Sequence, residues 1–318
     1  FFGTAYPATN TVTSLAENGL GSLRQVIADS VPGDSIAFGV TGTVALTSGE
    51  LTVSKNLGIL GPGSEALAIS GNSLSRVFRI TKDATVTISS LSIMNGRASY
   101  VSEPGGGIFN EGILSVSNCT ISGNASGDGG WNGGSGGNGG GVYNVGTLIL
   151  INSRVAGNSS GRGWTTATNS ANGGSGGGLF NGGTCLVSGC VFDFNSTGCG
   201  GDGVYGSYFG TLGGDGGDGG AIYSQTGIQL LNCTLTNNCC GNGGEGGDAG
   251  VFSRDGGIGG SGGAIYAASD LTMIGCTIAA NLAGAGGDGG YADSGFLGQG
   301  GSGGSGAFSH GRLRVVAA

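Results

Sequence analysis

GGGIFNEGILSVSNCTISGN, residues 105–124, returns four times with its internal spacing intact. The copies are GGGVYNVGTLILINSRVAGN (139–158), GGGLFNGGTCLVSGCVFDFN (176–195), GGAIYSQTGIQLLNCTLTNN (219–238) and GGAIYAASDLTMIGCTIAAN (262–281). A looser copy, SRVFRITKDATVTISSLSIMNG (75–96), precedes them, and a short one, GSGAFSHGRLRVV (304–316), follows. Phe109, Tyr143, Phe180, Tyr223 and Tyr266 each stand ten residues before Cys119, Ser153, Cys190, Cys233 and Cys276. Those in turn stand five before Asn124, Asn158, Asn195, Asn238 and Asn281. Between copies the length varies, and almost all the glycine lies there. Constant units joined by variable loops are the mark of a solenoid.

Inside a copy the apolar residues alternate over short stretches, as at Leu114, Val116, Cys119 and Ile121. That is the period of a strand, with β-branched residues enriched and helix formers scarce. The expected fold is therefore all-β: a right-handed parallel β-helix over 42–318, its equivalent residues stacked into ladders about 4.8 Å per rung. A buried Asn ladder is physically useful, because a side-chain amide at a tight turn can bond both its stacked neighbour and the turn backbone. The Cys ladder (Cys119, Cys190, Cys233, Cys276) reads as small buried hydrophobes, with inter-rung disulfides left open by the rung spacing. Cys199 with Cys239 or Cys240 is the best candidate pair. Cys185, equivalent to Leu114 and Leu148, is expected in the core.

Residues 1–41 differ. In GLGSLRQVIADSVPGDSIAFG (19–39), Ser22 and Gln25 have capping-box spacing, Leu23, Val26 and Ile27 form an apolar stripe, and Pro32-Gly33 stops the helix. Such a helix can cover the open apolar end of a solenoid. The SLRQVIADSVPGDSIAF segment followed by GGGIFN…NCTISGN copies resembles the right-handed β-helix repeat proteins of bacterial surfaces, among them polymorphic outer-membrane proteins and secreted passengers. The resemblance covers nearly the whole chain. It implies the fold and an extracellular or cell-surface location, and leaves function open among adhesins, surface fibres and polysaccharide-acting enzymes.

Glycine supplies 78 of 318 residues. Read in threes, the loops run GGS GGN GGG (133–141), GGD GGD GG (213–220) and GGI GGS GGA (256–264). Two glycines per three residues suit a threefold helix of the polyproline II type, which packs side by side only where side chains are absent. The loops are expected to stack as a glycine-packed fin, with flexible linker as the competing reading. Apolar residues at the tips, Trp131, Trp164, Tyr208, Phe209, Phe252 and Phe296, favour the fin and are candidate partner contacts.

A net charge of −8, with Lys55 and Lys82 the only lysines, excludes a nucleic-acid binder. No apolar run approaches the roughly 18 residues that span a membrane. The cysteines and the single His310 show no metal-ligand spacing. No cofactor is expected, although Asp215, Asp218, Glu245, Asp248 and Asp288 could take Ca²⁺ without the spacing of known calcium rolls. A polysaccharide lyase needs a strong base beside carboxylates, yet no lysine follows residue 105. A glycosidase needs two facing carboxylates, and Asp193 and Asp270 fall at non-equivalent positions. The sequons at 118 and 195 compete with the fold, since Asn195 belongs to the ladder. These features favour a structural or adhesive surface protein over a carbohydrate- or ice-binding module, and either over an enzyme. The last copy stops at GRLRVVAA, so the expected partner is a second copy of the chain. Phe1, Phe2 and Tyr6 of one subunit would cover Leu313 and Val315 of the next, head to tail, in a filament.

Overall fold

Each copy folds as three short strands separated by sharp bends, because stretches of three to five alternating residues reach stability only by pairing with the same stretch one copy away. The computed structural model describes residues 8–98, 101–130, 133–166, 170–306, 308–309 and 312–316. Among them are three sheets of ten, eight and eight strands, paired in parallel throughout, and one helix. The chain is a right-handed parallel β-helix. In the copy at 105–124, Ile108–Asn110 joins one eight-stranded sheet, Ile113–Ser117 the ten-stranded sheet and Thr120–Ser122 the other eight-stranded sheet. Register never slips along the regular copies. Leu114 pairs with Leu148, Leu148 with Cys185, Cys185 with Ile228 and Ile228 with Leu271.

The bends need left-handed backbone. Asn118, Asn152 and Asn232 supply it at the first bend with φ of 52°, 46° and 52°, and Gly189 and Gly275 at the equivalent places. At the second bend Asn95, Gly123, Gly157 and Asn237 do the same, but Phe194 and Ala280 are forced to φ 54° without the tolerance of glycine or asparagine. Inside, the coils are filled by aliphatic ladders. In the coil where Phe192 replaces the smaller Ile121 and Val155 of its ladder, Cys185 replaces the larger Leu114 and Leu148, so interior volume is kept nearly constant.

Two asparagine ladders run through the interior. Asn124 donates through Nδ2 to Asn158 Oδ1 at 2.9 Å, Asn158 to Asn195 at 3.0 Å, Asn195 to Asn238 at 2.9 Å and Asn238 to Asn281 at 2.8 Å. The same oxygens also accept the backbone N–H of the preceding rung. The second ladder, Asn110, Asn144 and Asn181, is built alike at 2.7 and 2.8 Å and ends on Ser224 Oγ. All of these amides except Asn281 are buried, so each bond replaces one that water would otherwise have made.

The ten-stranded sheet begins ahead of residue 42, with Thr9–Val12 and Ser35–Phe38 as its first two strands. Between them stands the helix Leu23–Asp29, whose N-cap Ser22 accepts the Gln25 N–H and whose Leu23 and Ile27 are buried. The reciprocal half of the capping box is missing, because the Gln25 side chain bonds Asp29 instead. Lys55 Nζ donates to the carbonyls of Ile27, Ala28 and Ser30, closing the helix C-terminus with a cation.

The glycine loops leave the second bend as an outgoing arm and come back as a returning arm. Successive residues of an arm bond in three directions. In the loop after Asn238, Gly244 donates to Gly214 O of the previous returning arm at 2.8 Å, and Gly257 donates back to Gly244 O at 2.8 Å. Gly243 donates to Ala285 O of the next outgoing arm at 2.9 Å. Arms bonded to one another in this three-residue rhythm form a two-layered fin. The third residue of each triplet points out, and where it is Asp or Asn it closes a clamp on the next arm. Asp215 Oδ1 accepts the Ile258 N–H at 2.8 Å while Gly216 N donates to Ile258 O at 2.8 Å. Asp218 with Gly219 grips Ser261 in the same way, Asn242 with Gly243 grips Ala285, and Asp255 with Gly256 grips Gln299. The outward N–H of each gripped residue has no backbone partner, and the neighbouring carboxylate or amide satisfies it.

Two substitutions should move stability in opposite directions. A Cβ on Gly216 would run into the Gly241 carbonyl oxygen, so Gly216→Val is expected to cost about 2–3 kcal/mol and loosen the fin. Phe194→Gly relieves the left-handed bend, which should add about 1 kcal/mol. Denaturant titration of both variants checks the pair.

Candidate functional site

Apolar side chains left over from the core collect at the outer edge of the fin, where the three longest loops turn. Backbone bridges tie these tips together, Gly206 to Ala249 to Ala292 and Phe209 to Phe252 to Phe296. Phe252 N donates to Tyr208 O and Gly210 N to Phe252 O, each at 3.0 Å. The rings follow the backbone. Phe209 stacks on Phe252 at 5.3 Å and Phe252 on Phe296 at 5.8 Å, while Tyr208 meets the first two edge-on at 4.7 and 5.6 Å. The Arg254 guanidinium lies 5.2 Å over Phe209. Tyr208 is 56%, Phe209 51% and Phe296 73% exposed, and Tyr205 and Tyr291 are more exposed than Tyr208. The tips thus leave rings in water on a backbone bonded from loop to loop. Trp164, at the tip of a shorter loop, is also exposed. Trp131 lies outside the described residues, as do Phe1, Phe2, Tyr6 and His310.

The other aromatic ladder is of a different kind. Phe109, Tyr143, Phe180, Tyr223 and Tyr266 stack at 5.2, 4.9, 5.1 and 5.0 Å and pair in register. They fill the crease where the returning arms meet the sheet. Gly139, at φ 68°, curls so closely over Tyr143 that a Cβ would touch it. Burial raises the Tyr143 and Tyr223 phenols above their ordinary pKa. The first ring, Phe109, is covered by Arg76 at 5.0 Å and Arg79 at 5.1 Å. Arg76 is almost fully buried, pairs with Glu50 and Glu103, and donates to Gly105 O and Pro104 O. Arg79 pairs with Glu111. Nothing in the sequence marks this cluster, because its members lie 26 to 32 residues apart and meet only across rungs.

A polar groove of about 550 Å³ runs along the opposite crease, holding the Arg97–Asp128 pair, Arg162, Cys199 and Cys239. All eight cysteines are free thiols. The expected pairing of Cys199 with Cys239 or Cys240 does not occur, and register gives the reason. Cys239 is bridged to Ser196, whereas Cys199 stands level with Asn242. Three residues of threefold arm separate Cys199 from Cys239, an offset of about 9 Å, whereas a disulfide needs Cα atoms within about 4.4–6.8 Å. Cys240 shares a column with Ser160 and Thr197, which bond between the arms, and its Sγ donates to Ser261 O at 3.1 Å. Of the ladder thiols, Cys119, Cys190 and Cys233 are buried and Cys276 is half-buried. Cys185 sits in the core.

Three of the loop acids named as calcium candidates are engaged in the fin, while Glu245 and Asp288 are exposed. Asp215, Asp218 and Asp248 accept backbone N–H groups, and no group of three or more metal-binding side chains occurs among the described residues. Asp193 pairs with Arg154 on one sheet, while Asp270 accepts the Arg312 N–H beside another, so the two do not face each other. Leu313 and Val315 lie exposed on the strand Leu313–Val316, which pairs with Leu271–Ile274. No helix of the described residues is long and apolar enough to cross a membrane.

No protein family's sequence profile matches the chain, and no curated protein matches it. Among solved structures it is similar to pectate lyase Pel9A, at 15% identity over 86% of this chain and 69% of that one, with a TM-score of 0.41. It is also similar to ORF18 of Geobacillus virus E2, at 11% identity over 89% and 61%, with a TM-score of 0.39. Neither likeness bears on activity.

Burial pushes the Cys119 thiol up to about 11 and those of Cys190 and Cys240 up to about 12. Iodoacetamide in mildly alkaline buffer should therefore label Cys199 first and leave these three until the protein unfolds. A non-reducing digest should contain no cross-link from Cys199 to Cys239 or Cys240. Peptide mass mapping reads both, and labelling of Cys190 as fast as Cys199 would contradict the packing.

Proposed function

We propose that the protein is a non-catalytic adhesive scaffold of the extracellular surface, which grips a partner through the aromatic edge of its fin. One observation carries this reading: exposed Tyr208, Phe209 and Phe296, gathered on half-buried Phe252, are held by backbone bonds between loops. A contact edge fixed in advance loses little conformational entropy on binding, and rings are the side chains that most often dominate such contacts. The resemblance to bacterial-surface β-helix repeats supports an outside location.

The reading of the fin as a carbohydrate-binding module draws on Tyr205, Tyr208 and Tyr291, whose rings combine an apolar face with a hydroxyl. An ice-binding face is disfavoured by charge. The outward positions of one fin face carry Asp202, Glu245 and Asp288, all exposed.

The test is adsorption of the folded chain to cellulose, chitin and alkyl-coated films, followed by quartz microbalance. Replacing Tyr208, Phe209 and Phe296 together with Ser should weaken adsorption by at least about tenfold without lowering the melting temperature. Adsorption unchanged in the triple variant would defeat the adhesive reading. Binding confined to the polysaccharide films would establish the carbohydrate module instead.

A further inference from the structure

Asn–Gly and Asp–Gly dipeptides are the weakest chemical links of a polypeptide, because nothing on glycine hinders its nitrogen from attacking the preceding side chain. The glycine nitrogen, losing its proton, bonds to the side-chain carbon, and the bond from that carbon to the amide nitrogen breaks. Ammonia leaves, and water then opens the resulting ring to aspartate or isoaspartate. This chain carries many such pairs, most of them in the fin.

In the fin both reacting groups are already engaged at the Asn–Gly pairs of residues 138, 172 and 242. Gly243 N donates to Ala285 O at 2.9 Å while the Asn242 Oδ1 accepts the Ala285 N–H at 3.0 Å. Gly173 N and Asn172 Oδ1 hold Asp215 at 2.8 and 2.9 Å, and Gly139 N and Asn138 Oδ1 hold Ser175 at 2.9 and 2.7 Å. The glycines of the coil pairs are held as well: Gly96 N donates to Asn124 Oδ1 and Gly182 N to Asn144 O, each at 2.7 Å, although Asn95 itself is exposed at its bend. Attack requires the glycine N–H to leave its acceptor and the side chain to swing out of its clamp, which opens the lattice locally.

Among the described Asn–Gly pairs, Asn18–Gly19 is the exception. It lies in the loop ahead of the capping helix, both residues are exposed, and the Gly19 N–H has no partner among the described residues. Gly19 has φ 93° and open space around it. The Asn18 amide nitrogen donates to Glu17 Oε2 at 2.9 Å and to Ser48 Oγ at 3.4 Å, bonds that leave its carbonyl carbon open to attack.

We infer that the Asx–Gly clamps protect the fin from spontaneous succinimide chemistry and that Asn18–Gly19 is the site at which the folded protein deamidates. Conversion there sets a second carboxylate beside Glu17. Glu17 ties this loop to Thr47 and Ser48 and to Arg24 of the helix, so ageing begins at the cap and spares the contact edge.

The full folded chain is kept in mildly alkaline buffer beside a second sample in strong denaturant. Peptide mapping follows each Asn–Gly pair, and an isoaspartyl methyltransferase with S-adenosylmethionine reports total isoaspartate. Asn18 should convert at comparable rates in both samples. Asn138, Asn172 and Asn242 should convert at least about tenfold more slowly in the folded one, since at least one bond must break first. Asn242 converting equally fast in both samples, or Asn18 converting no faster than Asn242 in the folded chain, would overturn the inference. Asn132–Gly133 lies partly outside the described residues and is not used as a reporter.

Discussion

The fin rests on a single steric constraint: beyond their bases, its arms pack so closely that most inner positions have no room for a Cβ. The β-helix imposes this, because arms that leave neighbouring rungs inherit a spacing near 4.8 Å. At that spacing a Cβ on Gly244 would strike the Gly201 carbonyl, and one on Gly257 the Gly214 carbonyl. Glycine is costly to order, and one glycine hydrogen bond, worth about 1 kcal/mol net, does not offset that cost. Bonding in three directions does, provided the arms are already aligned. Alignment comes from the coils below. Ser126, Ser160 and Thr197 fasten the arm bases by donating to Gly137, Gly174 and Gly217.

From that constraint the rest follows in order. A bonded fin can carry exposed rings at a fixed place, which a linker could not. Its outward positions need polar side chains that satisfy the N–H of the next arm, which explains why Asp and Asn recur after paired glycines. The same clamps that complete the hydrogen bonding also immobilise the groups through which glycine-rich chains decay.

Much of this was legible in the sequence and some was not. The coils were legible because their length within a copy is invariant, so Phe109, Cys119 and Asn124 align with their equivalents by counting alone. Asn110, Asn144 and Asn181 stand in the same aligned copies but are less conspicuous, since their column changes to Ser224 and Ala267 before the repeats end. The glycine triplets announced threefold arms. The clamps stayed hidden because they depend on which triplet of one loop meets which of the next, and loop lengths differ. Cys199 stands four residues past Asn195 and Cys239 one past Asn238, so following consecutive ladder turns does not make them neighbours. The N-terminal strands Thr9–Val12 and Ser35–Phe38 match no copy, having only one or two alternating apolar residues each, and were placed by pairing alone.

Hydrogen exchange along the loops tests the central claim most directly. If the arms form a bonded lattice, the amides of Gly213–Gly217, Gly241–Gly247 and Gly256–Gly260 should exchange as slowly as those of strands such as Thr184–Ser188. Exchange of these glycines at the rate of an unstructured peptide, with the strands still protected, would contradict the account.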